Sequence, residues 1–233
     1  MISIFIKHKF IIGILVAFGL FKINIISYQK TDAQIFNEII ESSGSQIQEF
    51  GVKASFNTNK SGSLAALELF NLLDLEDINT AKITNVENKY TIDFNNLNAS
   101  GYVMSFQEDN ENTIIVDIKQ YSTQNNLESL IEKIKSSVST LGINLSYSVY
   151  AKAKTSTVDI FKTNKAIINL LRFRGYDNID TINIGNGVST VASRKDTPIN
   201  SNKRATVDFN YAVTTYSSGT YIILGAPVIP VPY

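Results

Sequence analysis

Apolar residues at helical spacing predict four helices after residue 31. They span about residues 32–44, 63–73, 127–142 and 158–173. In the first, Ile35, Phe36, Ile39 and Ile40 form one apolar face behind Asp32, which can cap the helix. The second is apolar on most of its circumference, which predicts a buried helix.

Alternating apolar and polar residues predict the strands between these helices. They span about residues 46–56, 82–94, 99–107, 112–121, 144–154, 178–184, 188–194, 204–216 and 220–225. Gly51 marks an expected irregularity within the first strand. Asn186-Gly187 predicts a two-residue hairpin turn, because both residue types tolerate a positive φ.

The order of these elements repeats along the chain. Helix, strand, helix and three strands occur first over about 32–125, and the same order occurs again over about 126–233 with one strand more, with Leu72-Leu73 and Leu170-Leu171 at equivalent points. No Pro-rich or Ser/Gly-rich linker interrupts residues 28–233, so they are expected to form one two-repeat domain. The prediction is an α+β fold in which two pseudo-symmetric repeats form a curved antiparallel sheet with helices on one face.

Residues 1–27 have the pattern of an export signal. Lys7 and Lys9 precede an apolar run over 10–21, which Lys22 interrupts. The run is short for a bilayer core of about 30 Å but fits the apolar region of a signal peptide. The lysines predict that the rest of the chain is extracytoplasmic, either secreted or anchored at the outer face of the membrane. Cleavage and retention as an uncleaved anchor both stay open.

The composition excludes several kinds of catalytic and metal site. The 233 residues carry 21 Lys and Arg against 21 Asp and Glu, with no Cys and one His. Without Cys there is no disulfide, thiolate zinc site or cysteine nucleophile. His8 lies inside the predicted signal, so the exported domain has no histidine base, metal ligand or Ser-His-Asp triad. No catalytic residue, metal site or cofactor is therefore predicted.

Two acidic clusters and a series of strand tyrosines are candidate sites. The clusters are Asp74, Glu76 and Asp77, and Glu108, Asp109 and Glu111. Neither has the spacing of an EF-hand calcium loop, so both are expected to be solvated loops. The tyrosines are Tyr102, Tyr121, Tyr147, Tyr150, Tyr211, Tyr216 and Tyr221. Half-buried sheet packing is expected for them, in preference to a platform that stacks sugars or peptides.

The C-terminal segment Tyr221–Tyr233, with its Gly225-Ala226-Pro227-Val228-Ile229 phrase, resembles the closing strand of the YwmB-like family of exported proteins from low-GC Gram-positive bacteria. Residues 47–56, 147–154, 187–193 and 205–216 resemble other strands of that family in order and spacing. The resemblance implies a saddle of two repeats similar to the TATA-box-binding protein. It brings no established activity to carry over.

Nucleic acid is not an expected partner. The net charge is zero, whereas nucleic-acid-binding proteins usually carry a basic excess. A saddle that kinks DNA also needs a basic concave face with wedge phenylalanines. Export would moreover separate the domain from chromosomal DNA.

The charge is divided unequally along the chain. Residues 28–144 carry 8 basic and 16 acidic side chains, whereas residues 145–233 carry 10 basic and 5 acidic ones. This asymmetry can steer an anionic partner to the second half. The candidate patch for such a partner consists of Arg172, Arg174, Arg194, Lys195, Lys203 and Arg204.

The predicted function is that of a non-catalytic binding or scaffold module of the cell envelope. Its partner would be an envelope polymer, a lipid head group or a protein, with membrane contact otherwise expected only through the N-terminal segment. One alternative is a cell-wall-active or maturation enzyme that uses Asp74, Glu76 or Asp77. Another is a scaffold that binds a partner strand at an exposed sheet edge.

Overall fold

Helices and strands account for most of the chain that the computed structural model describes, namely residues 30–75, 78, 80–108, 111–194 and 207–232. The helices are α1 (Asp32–Ser42), α2 (Gly62–Leu73), α3 (Leu127–Leu141) and α4 (Ile160–Phe173). The strands are β1 (Gln46–Thr58), β2 (Lys82–Val86), β3 (Lys89–Asn95), β4 (Ala99–Glu108), β5 (Glu111–Tyr121), β6 (Ile143–Thr155), β7 (Tyr176–Ile184), β8 (Gly187–Arg194), β9 (Phe209–Tyr216) and β10 (Gly219–Ala226). The predicted export signal lies outside the described residues.

The ten strands form one antiparallel sheet in the order β2-β3-β4-β5-β1-β6-β10-β9-β8-β7. The long strands β1 and β6 pair at its centre, where Ala54 lies opposite Tyr147. Strands β2 and β7 form the two edges. The predicted α+β class with an antiparallel sheet is therefore confirmed.

The helices pack on a single face of this sheet. Phe36 of α1 contacts Phe209 of β9 with ring centroids 5.4 Å apart, and Phe70 of α2 contacts Phe94 of β3 at 5.9 Å. The strand registers place Phe94 and Phe209 on the same side of the sheet. One hydrophobic cluster joins this side to residues of all four helices. The opposite side is called the open face below.

The first helix follows its sequence pattern closely. Its buried residues include Ile35, Phe36 and Ile39, as the apolar stripe predicts. At its C-terminus the backbone N–H groups of Gly44 and Ser45 donate to the carbonyls of Glu41 and Ile40, both at 3.0 Å. This is the Schellman pattern, and Gly44 has the positive φ of 60° that it requires.

One strand prediction and one turn prediction are wrong in detail. Residues 82–94 form the hairpin of β2 and β3 instead of one strand, because the chain reverses at Glu87, whose φ is 52°. The turn between β7 and β8 is Gly185-Asn186, one residue earlier than expected, since Ile184 pairs with Gly187. Gly187 has a different role: a Cβ there would collide with the carbonyl oxygen of Val213 on β9.

The expected irregularity at Gly51 is also wrong, and the predicted burial of α2 holds for one side of the helix only. Pairing of β1 with β5 is continuous through Gly51, whereas the shifts against β6 lie on either side of it. Gly51 instead makes room for the ring of Tyr150. In α2, Leu64 and Leu72 are 64% and 45% exposed, because only one face of this helix packs on the sheet.

No helix among the described residues is long and apolar enough to cross a membrane.

Candidate functional site

The structure places Arg174 of the predicted basic patch in an ion pair between two helices. Its Nε donates to Oε2 of Glu38 at 2.8 Å, and its Nη2 donates to Oε1 of the same carboxylate. The two side chains are only 30% and 22% exposed. Arg174 follows α4 and Glu38 belongs to α1, so this pair joins helices from distant parts of the chain.

Arg194 lies among acidic and aromatic neighbours. Its Nη2 donates to the hydroxyl of Tyr176 at 3.0 Å, and its backbone N–H donates to Oδ2 of Asp208 at 2.7 Å. Burial raises the pKa of Asp32 above its usual value, and the charge of Arg194 opposes that rise. Burial likewise raises the pKa of Tyr176 to about 12. Arg194 therefore interacts with Asp32, Tyr176 and Asp208 of the fold itself.

Of the remaining members of the patch, the structure describes only Arg172. Arg172 lies in the last turn of α4 and is exposed. Lys195, Lys203 and Arg204 lie outside the described residues. Of the three arginines that the structure describes, two thus have acidic neighbours, and Arg172 faces solvent.

A different group of cations lies on the open face, where Lys152 and Lys154 of β6 meet two tyrosines. Nζ of Lys152 is 5.0 Å from the ring centroid of Tyr221 on β10 and 5.7 Å from that of Tyr216 on β9. Nζ of Lys154 is 5.9 Å from the Tyr221 centroid. The two rings are 5.8 Å apart and inclined at 66°. These four residues are called the lysine–tyrosine cluster.

Local sequence and register position this cluster. In β6, Ala151 and Ala153 face the core, so alternation places Lys152 and Lys154 on the open face. Gly219, in the pair that closes the β9–β10 hairpin, has a φ of 129°. A Cβ on Gly219 would lie 2.8 Å from Cε of Lys154, so this glycine leaves space for the lysine stem.

The charges of Lys152 and Lys154 are available to an external anion. None of the ion pairs within the described ranges involves Lys152 or Lys154. Glu49 lies opposite Lys152 in the sheet, and its Oε1 accepts a hydrogen bond of 3.4 Å from the Tyr150 hydroxyl. Cation–π contacts hold the ammonium groups without neutralising them. The cluster can therefore bind a phosphate or carboxylate and stack a sugar or polyol against its rings.

The sequence contains a signal for this cluster. Lysines two residues apart in an alternating strand must share a face, and the intervening alanines indicate which face is buried. For Tyr216 and Tyr221 the strand pattern predicts sheet packing. They are only partly buried, whereas Tyr150 and Tyr211 are fully buried. The approach of β9 to β6 across β10 depends on the sheet order, which no local pattern specifies.

A cavity of about 740 Å³ lies where α2 ends, beside the β3–β4 turn and the start of α3. Its polar lining residues are Asp74, Asn96, Asn98, Gln120, Asn126, Ser129 and Lys133. Asp74 ends α2 with a φ of 47°, and Asn96 donates through Nδ2 to the carbonyl of Leu75 at 3.2 Å. The cavity offers one described carboxylate with amides around it. Glu76 and Asp77 lie outside the described residues.

The described residues contain no group of three or more His, Cys, Asp or Glu side chains that could hold a metal ion.

No protein-family model matches this chain, and no curated protein is detectably similar to it in sequence.

Proposed function

We propose that this chain is an exported, non-catalytic envelope protein that binds a phosphate-rich anionic polymer on the open face of its sheet. One observation carries the proposal: Lys152 and Lys154 lie against Tyr216 and Tyr221 and take part in none of the described ion pairs. Ammonium groups attract phosphodiesters, and tyrosine rings pack against the C–H faces of sugars and polyols.

The charge distribution supports this assignment. The second half of the chain, which contains the cluster, carries the basic excess, whereas the first half is acidic. Such a field attracts a polyanion toward one half of the sheet. Extracytoplasmic localisation is part of the proposal and is supported by the sequence pattern of residues 1–27.

The fold proposal is that the two halves are pseudo-symmetric repeats on a curved sheet similar to the TATA-box-binding protein. Each half contains a helix, a strand, a helix and four strands. Let β6–β10 of the second half be equated in chain order with β1–β5 of the first. Reading the sheet from either edge to its centre then gives the same strand order. Membership of the YwmB-like family is likewise a proposal, supported by the resemblance of the C-terminal segment.

The test is binding of the purified full chain to poly(glycerol phosphate). We expect the K152E/K154E variant to bind about 100-fold more weakly, because each charge-assisted contact contributes about 1.5 kcal/mol or more. Its binding should also vary less with salt concentration, since fewer cations then contact the polymer. Isothermal titration calorimetry at two salt concentrations measures the affinity and its dependence on salt.

The matched control is K82E/K89E, which changes the net charge equally at two exposed lysines of β2 and β3. This control should bind like the wild type, and K152R/K154R should retain most of the affinity. Unchanged binding by K152E/K154E would overturn the site. Equal affinity of the wild type for polyglutamate, an anionic polymer without phosphate, would overturn the assignment to a phosphate polymer.

A second candidate function is a cell-wall-active or maturation enzyme. It is favoured by the cavity of about 740 Å³ that contains Asp74. Under this hypothesis Asp74→Asn lowers release of soluble fragments from isolated cell wall by at least about 100-fold, the size of a typical general acid–base contribution. Asp180→Asn, at an exposed position of β7, is the control and should leave release unchanged. Absence of fragment release by the wild type would exclude this activity on cell wall.

A further inference from the structure

Helix α4 differs in charge from the other helices of the described chain. Its sequence contains Lys162, Lys165 and Arg172 and no Asp or Glu. Helix α1 contains only acidic charges, α2 has Glu68 as its single charge, and α3 is balanced. A short helix with three cations and no carboxylate has no internal compensation for its charge.

The cations share the outer side of α4 with apolar residues. Thr163, Asn164, Ile167 and Leu171 form the buried side of the helix. The outward stripe consists of Phe161, Lys165, Ile168 and Arg172, at positions i, i+4, i+7 and i+11. Lys162 lies beside this stripe.

Large apolar side chains are exposed at both ends of the helix. Val158 and Phe161 are 80% and 70% exposed at its start, and Phe173 is 80% exposed at its end. The two phenylalanines are about 18 Å apart along the axis, at 1.5 Å per residue. Exposed phenylalanines on either side of a cationic middle indicate a surface that contacts something both apolar and anionic.

No carboxylate in the described chain forms an ion pair with the three helix cations. The described ion pairs involve other lysines and Arg174, which binds Glu38. Asp159 caps the helix, with Oδ1 accepting from the backbone N–H of Lys162 at 2.9 Å. The charge on α4 is thus available to an external partner.

We propose that α4 docks flat on an anionic phospholipid surface, with Phe161 and Phe173 inserted at the level of the head groups. Lys162, Lys165 and Arg172 then contact lipid phosphates, which is the arrangement of interfacial amphipathic helices. This contact is additional to that expected of the N-terminal segment. It rests on the proposed extracytoplasmic location and does not involve the lysine–tyrosine cluster.

Helix α2 provides the contrast within the same chain. It also exposes large apolar residues, Leu64 at 64% and Leu72 at 45%. Its only charge is negative and is paired, since Nζ of Lys60 lies 2.8 Å from Oε2 of Glu68. Apolar exposure without cations does not favour an anionic membrane, so α2 should stay in water.

The experiment uses tryptophan fluorescence, because the chain contains no Trp. Phe161→Trp in the full chain reports on α4, and Leu64→Trp reports on α2. On vesicles of phosphatidylcholine with phosphatidylglycerol, we expect Phe161→Trp emission to shift to the blue and to be quenched by spin-labelled lipid. Leu64→Trp emission should not change. The N-terminal segment would bring both reporters to the vesicle equally, so their difference reports on α4.

The Phe161→Trp chain that also carries K162E/K165E/R172E should need about 100-fold more lipid to reach half of its vesicle-induced shift. The reason is that each cation near an anionic surface contributes about fivefold to the affinity. Circular dichroism checks that this variant is folded. The proposal is overturned if Phe161→Trp shows no shift, or if pure phosphatidylcholine or Leu64→Trp gives the same response. Poly(glycerol phosphate) binding should survive K162E/K165E/R172E, so failure of the polymer site and of membrane docking are distinguishable.

Discussion

Replacing Phe209 with Ala is expected to lower the free energy of unfolding by about 4 kcal/mol, the usual cost of deleting a buried phenylalanine ring. Phe209 of β9 is fully buried and lies at the centre of an aromatic group. Its ring makes edge-to-face contacts with Phe36, Tyr176 and Tyr211, at centroid distances of 5.4, 5.7 and 6.4 Å. The substitution removes all three contacts and leaves a cavity where α1 meets the sheet.

Urea denaturation of the full chain, followed by circular dichroism, measures this loss as a lower midpoint at an unchanged slope. Ile182→Ala is the matched control, because Ile182 lies on β7 of the same sheet but is 59% exposed. It should cost less than about 0.5 kcal/mol, as surface substitutions usually do. A loss below about 1.5 kcal/mol for Phe209→Ala would contradict the packing described for this group.

Replacing Gly51 with Ala is expected to destabilise the fold by about 3 kcal/mol, because the added methyl has no space. A Cβ on Gly51 would lie 2.5 Å from Cε1 of Tyr150 and would also collide with the carbonyl oxygen of Ile118. The carbonyl belongs to the paired strand β5, so it cannot move without disturbing the ladder. The ring is fully buried, and its hydroxyl donates to Glu49.

Gly185→Ala supplies the comparison for this substitution. Gly185 lies in the β7–β8 turn, and nothing would lie within 4 Å of an added Cβ. Its expected effect is within about 0.5 kcal/mol. Thermal unfolding of both variants distinguishes a steric requirement at Gly51 from a general loss of glycine flexibility. Equal effects at the two glycines would show that Tyr150 does not require the space over Gly51.

Tyr150 also illustrates how burial changes a side chain that the sequence presents as ordinary. Its ring lies on the open face, yet it is only 1% exposed. Burial raises the pKa of its hydroxyl well above the usual value, and the nearby charge of Glu49 raises it further. The phenol therefore stays protonated and serves as a hydrogen-bond donor. Its neighbours on this strand, Lys152 and Lys154, remain partly or fully accessible.

The sequence alone determined most of the elements and the faces that α1 and β6 present. The stripe of α1, the Schellman turn at Gly44 and the alternation of β6 follow from backbone periodicity and from local hydrogen bonds. Lys152 and Lys154 share a face for the same reason, since residues two apart in a strand point in one direction. The division of charge between the two halves is likewise a property of composition.

Tertiary structure decided which charges have partners. Arg174 binds Glu38 across 136 residues of sequence, so this residue of the predicted basic patch also joins two helices. Lys152 meets Tyr221 and Tyr216 because β6, β10 and β9 are adjacent in the sheet. The energy of a charge depends on the distance to its nearest partners and on its burial. Those distances follow from the long-range strand order and register, which no local pattern of residues specifies.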